Sequence, residues 1–192
     1  MSHLIEEIKQ CTICKDHLPH GPRPVLQFNE QSKVVIIGQA PGSKVHKTGI
    51  PWDDQSGKLL RSWLQCTEEE FYNPDLFALI PMGFCYPGKG KSGDLPPRPE
   101  CAETWQDQVF EQLKSKKLIV LIGQYAQKHY LGNQAKKNLT ETVFHWSEYL
   151  PTYFPIPHPS PRNRFWFQKN QWFNDEALPH FQSLVGDALG SK

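Results

Sequence analysis

The stretch 33-KVVIIGQAPG-42 decides the fold. Four β-branched residues in a row, closed by a glycine, read as a strand buried on both faces, which is the pattern of a parallel sheet. Three further apolar runs bounded by Gly or Pro repeat the signal: 76-LFALIPM-82, 118-LIVLIG-123 and 152-TYFPIP-157. Helix-like segments lie between them. In 56-SGKLLRSWLQC-66, Leu59, Leu60, Trp63 and Leu64 share one helical face. The segments 100-ECAETWQDQVFEQLKS-115 and 124-QYAQKHYLG-132 are similar, and the second ends in a glycine suited to a C-cap. A last helix is expected in 175-DEALPHFQSLVGDAL-189, with Pro179 in its first turn. Strands alternating with helices predict an α/β fold, a three-layer sandwich around a central, mainly parallel four-stranded sheet. The chain, residues 1–192, reads as one domain without internal repeats.

In such sheets ligands bind beyond the carboxyl ends of the strands. The loops expected there are 38-GQAPGSKVHKTGIPWDDQSG-57, 83-GFCYPGKGKSGDLPPRPEC-101 and 158-HPSPRNRFWFQKNQWF-173, all rich in Gly, Pro, basic residues and aromatics. The first lacks the Lys-Ser/Thr of a phosphate-cradling P-loop and the third glycine of a dinucleotide fingerprint. It is either a plain strand-to-loop turn or the wall of a pocket with other chemistry.

Hydrophobic residues make up 38% and charged residues 21%, with net charge +1. A basic footprint for nucleic acid must therefore be local. No apolar run of transmembrane length occurs, and MSHLIEEIKQC has no signal-peptide core. The expectation is a cytoplasmic protein that does not engage membranes. Five cysteines in that compartment favour a metal site or free thiols over disulfides. Cys11 and Cys14 form C-x2-C, and Cys85 and Cys101 are separated by 15 residues. Unrelated thiols, a zinc site and an iron–sulfur cluster are the readings, with four thiolates suiting [4Fe–4S]. Cys66 ends a helix-like segment and reads as a packed thiol.

The order GQAPG, PWDDQSGKLL, a strand running into a Cys, then HPSPRN resembles the uracil-DNA glycosylase superfamily, over roughly residues 11 to 174. It is most similar to the iron–sulfur type (families 4 and 5), which carries G-E-A-P-G or G-L-A-P-G, then S-G-x-L-L, then H-P-S. The runs 48-TGIPW-52 and 158-HPSPRN-163 also resemble the single-strand-selective monofunctional members. The resemblance implies a monofunctional DNA glycosylase that hydrolyses the N-glycosidic bond of uracil or another deaminated base. It further implies a monomer acting on DNA, and a [4Fe–4S] cluster on Cys11, Cys14, Cys85 and Cys101.

That chemistry needs a group to orient water at C1′, a donor for the departing base, an aromatic platform and a wedge for the duplex. The resemblance assigns the water to Asp54, in the D-x-S-G arrangement 54–57, with Asp53 beside it. A plain helix cap is the other reading of Asp54. His158 would donate to the base, and Gln39 and Trp52 would hold it, with Gly38, Ala40, Gly83 and Phe84 lining the pocket. Ser56, Ser160, Pro161, Arg162, Asn163 and Arg164 would meet DNA, and Lys89 and Lys91 sit in a loop expected to be mobile.

Two departures stand out. The acid of the first loop is missing, since Gln39 and Ala40 occupy the positions where relatives have Glu or Asp. Pro81 replaces the Asn that reads the base, leaving backbone groups of Gly83 or Phe84, or Gln39, as substitutes. Hypoxanthine and xanthine thus stand beside uracil as substrates. A non-catalytic iron–sulfur binder of damaged or single-stranded DNA is the alternative, and a redox protein without a DNA role a further one.

Overall fold

The computed structural model describes residues 3–190. Helix α1 (His3–Lys9) precedes strand β1 (Val34–Gly38), and α2 (Ser43–Thr48), α3 (Gln55–Leu64) and α4 (Glu68–Phe71) lead to β2 (Phe77–Pro81). Helix α5 (Pro99–Gln112) leads to β3 (Leu118–Ile122), and α6 (Gly123–Leu131) and α7 (Leu139–Phe144) to β4 (Tyr153–Ile156). Helices α8 (Arg164–Lys169) and α9 (Leu178–Leu189) close the chain, with a π-helical turn at Phe173–Ala177 between them. That turn accounts for the late start of α9 relative to the expected residue 175.

The sheet is parallel throughout, in the order β2-β1-β3-β4. The expected α/β sandwich is therefore present. Alternation along β1 explains its layers. Val34 and Ile36 face one core with Leu60, Trp63, Phe71 and Phe181, while Val35 and Ile37 face another with Ile8, Val109 and Ala126. Both faces are covered, which is why the strands read as unbroken apolar runs. Phe71, Phe77, Phe154, Phe173 and Phe181 are fully buried, each contributing about 1.5–3 kcal/mol.

The chain winds from β1 outward to β2, then returns past β1 to β3. Beside such a reversal the carboxyl ends of the strands leave a crevice. Two of the expected loops are partly helical: residues 43–48 form α2 and residues 164–169 form α8. The loop that carries Lys89 and Lys91 is folded as a small hairpin. The Leu95 amide donates to the Gly88 carbonyl at 2.9 Å, and a β-bridge joins Lys89 to Asp94. No helix among the described residues is long and apolar enough to cross a membrane.

Candidate active site and cysteine centre

A cleft of about 710 Å³ lies at the carboxyl ends of the strands, and Gly38, Gln39, Ala40, Trp52, Asp54 and His158 line it. Ser56, Ser160, Pro161 and Arg162 stand along its rim. The structure thus brings together residues from two loops that lie far apart in the sequence.

Asp54 is the N-cap of α3. Its Oδ1 accepts the Gly57 amide at 2.8 Å, as a cap side chain does. Asp54 also lines the cleft, so capping fixes its position without closing it off. Asp53 lines the same cleft, with its Oδ1 paired with Lys44 Nζ at 3.2 Å. Of the two neighbours, Asp54 is the one held by the helix.

Trp52 has a left-handed backbone, φ 58°, a conformation that non-glycine residues adopt at a cost. The surroundings hold it there. Tyr72 Oη donates to the adjacent Pro51 carbonyl at 3.0 Å, and Gly57 lies directly against the Trp52 backbone. A Cβ on Gly57 would sit 1.8 Å from the Trp52 carbonyl oxygen, and one on Gly38 would sit 3.0 Å from the indole ring. The glycine of the S-G pair is therefore a seat for Trp52. Gly57→Ala is expected to lower stability by about 1–3 kcal/mol, the range of an overpacked site, and to shift the indole. Thermal unfolding together with tryptophan fluorescence reads both effects.

The indole of Trp52 and the imidazole of His158 are 5.8 Å apart, inclined at 30°. Burial lowers the His158 pKa below the ordinary imidazole value, and the Asp54 and Asp94 charges partly offset this. Neutral His158 carries one ring N–H to donate. The Asn163 side chain donates to the His158 carbonyl at 2.8 Å, so Asn163 braces the HPSPRN turn. Arg164 borders a separate groove with Leu59 and Phe167.

Gly83 and Phe84 do not line the cleft; they face the cysteines instead. The Gly83 amide donates to the Gln39 carbonyl at 3.0 Å and the Phe84 amide to Cys101 Sγ at 3.3 Å. Both donors are committed to holding the backbone. Pro81 reaches the cleft without an amide hydrogen, and its carbonyl accepts from Gln106 Nε2 at 2.9 Å.

The sequence reading missed several cleft residues. Asp94 and Tyr86 enter from the glycine-rich loop, and Lys44 and Lys58 join Lys89 on the rim, whereas Lys91 does not border it. The signal for Asp94 was its place directly after Gly88, Gly90 and Gly93, where a tight hairpin would carry it back.

Cys11, Cys14, Cys85 and Cys101 line one cavity with Arg98 and Trp105. Burial pushes the Cys85 thiol up to about 11 and the Cys101 thiol up to about 12, and the neighbouring cysteines add to this. The indole N–H of Trp105 is buried without a hydrogen-bond partner. Four thiols lining one cavity beside an unmet donor form a donor set suited to a sulfur-rich group. Among the described residues, no three His, Cys, Asp or Glu converge on a single metal ion. Cys66 lies elsewhere, packed against the core, with burial raising its thiol to about 11.

The sequence profile of the uracil DNA glycosylase superfamily matches residues 26–182. Over 65 residues the chain is 34% identical to a type-4 uracil-DNA glycosylase of Thermotoga maritima. That stretch covers 34% of this chain and 34% of the relative, so the match spans about a third of the relative's length.

Proposed function

The chain belongs to the uracil-DNA glycosylase superfamily, and from that premise we propose that it excises uracil or another deaminated base from DNA as a monofunctional glycosylase. The observation that carries the proposal is the joint approach of Asp54, Trp52 and His158 to one cleft. A base turned out of the helix would stack on Trp52, with Gln39 beside it. Asp54 would hold water against C1′ through the carboxylate oxygen that does not cap α3. As the glycosidic bond breaks, its electron pair leaves with the base. The N–H of neutral His158 would stabilise that charge. The positive ends of Lys44, Lys58, Lys89 and Arg162 along the rim suit the DNA phosphates. The product would be an abasic site in an uncut strand.

Cys11, Cys14, Cys85 and Cys101 would hold a [4Fe–4S] cluster. The four thiols lining one cavity and the unmet Trp105 donor support this. The cluster would supply structure, tying the segments after α1 and β2 to the start of α5.

The test is incubation with oligonucleotides carrying uracil, hypoxanthine or xanthine, followed by alkali. Cleavage at one or more of these bases is expected, and binding without cleavage at any of them would contradict the proposal.

His158 adds a pH dependence. A histidine whose folded pKa lies below its unfolded one binds fewer protons when folded, so stability falls as pH drops through the unfolded value of about 6.5. His46 is lowered as well, by burial first and then by Arg23 and His20, and acts in the same direction. Thermal midpoints are expected to be lower at pH 5.5 than at 7.5, with a smaller difference in His158→Gln.

A further inference from the structure

We infer that Asp94 is the base-reading residue of this cleft, a carboxylate that selects bases carrying a ring N–H. The inference rests on the excision reading above and names the selecting group. Asp94 sits on the cleft wall where the glycine-rich hairpin meets the GQAPG loop. Its Oδ2 would lie 3.6 Å from a Cβ on Gly42, ordinary contact distance, so the carboxylate stands beside the GQAPG loop. Tyr86 Oη donates to its Oδ1 at 3.4 Å, which holds the group in place.

The neighbouring backbone provides little reading. Pro81 has no N–H, and the amides of Met82, Gly83 and Phe84 donate to Gly38, Gln39 and Cys101 respectively. The Gln39 side-chain amide donates to the Leu95 carbonyl at 3.2 Å, which leaves its oxygen as an acceptor. A carboxylate is also an acceptor only. This wall therefore presents acceptors, and acceptors read donors.

Deamination creates such a donor. The ring N3 of cytosine carries a lone pair, whereas N3 of uracil carries hydrogen. The same change at N1 turns adenine into hypoxanthine. A carboxylate accepts the new N–H and repels the lone pair of the unmodified base. Guanine and xanthine both carry N1–H, so this device does not separate that pair.

The test compares uracil and cytosine at one position of the same oligonucleotide, under steady-state turnover, for wild type, Asp94→Asn and Asp94→Ala. Asn offers an N–H to cytosine N3, so its uracil-to-cytosine preference is expected to fall about tenfold or more, the scale of a hydrogen bond to a charged group. Ala is expected to weaken uracil binding, raising KM more than it lowers kcat. Thermal unfolding confirms that each variant is folded. A preference unchanged in Asp94→Asn overturns the inference, as does a loss confined to kcat, which would make Asp94 a water ligand instead. A wild type inactive on every base would overturn the excision reading, a distinct outcome.

Discussion

Asp54→Asn is expected to lower base excision about a hundredfold or more while leaving the fold intact. The two effects separate because of how Asp54 is placed. Its Oδ1 caps α3 through the Gly57 amide, and Asn caps a helix as well as Asp does. The substitution therefore preserves the cap, the seat of Trp52 and the shape of the cleft. It removes the negative charge that would accept a hydrogen of the water and turn its oxygen toward C1′. Loss of such a group typically lowers rates by about 10²–10⁴. Asp54→Ala is expected to lose the same activity and also about 1 kcal/mol of stability, because the cap is gone. Single-turnover rates and thermal midpoints of both variants check this. Full activity in the Asn variant would show that Asp54 is only a cap.

The second large effect is expected at the cysteines. Cys101→Ala should yield protein without the brown colour of an iron–sulfur cluster, with stability lowered by about 3 kcal/mol or more, on the scale of a lost cross-link. The reason is topological. Cys11 and Cys14 follow α1, Cys85 follows β2, and Cys101 lies in the first turn of α5. A shared group would join three segments far apart in sequence. The Phe84 amide also donates to Cys101 Sγ, so the end of β2 is directly affected. Cys66→Ala serves as the contrast, since Cys66 lies outside that cavity. It should keep the colour. Visible absorbance and iron content of the two variants read the difference, and a coloured Cys101→Ala would contradict the ligand assignment.

Much of the fold was legible because the sheet is buried on both faces. Val34 to Ile37 alternate between two cores, so each strand became an apolar run that periodicity could detect. The short helices α2 and α8 were not legible. They fall in loops rich in Gly, Pro and charge, and their stability comes from packing and neighbouring turns. In the site, Asp54 and His158 were visible because each sits in a compact local motif. Asp94 was not, since its approach to Gly42 depends on how the 88–94 hairpin folds back over the cleft. Gly83 and Phe84 were placed in the pocket because they follow β2. The backbone turns them toward the cysteines, where their amides serve Gln39 and Cys101. Gly57 read as part of a motif, and only the 1.8 Å approach to the Trp52 carbonyl gives its physical reason.

The central claim is that this cleft breaks an N-glycosidic bond rather than merely holding a damaged base. Its most direct measurement is the free base released from a uracil-containing oligonucleotide, quantified by mass spectrometry alongside strand integrity. The account predicts free uracil in equal amount to alkali-labile sites, with the strand uncut until alkali is added. Tight binding of the oligonucleotide with no free base would contradict it.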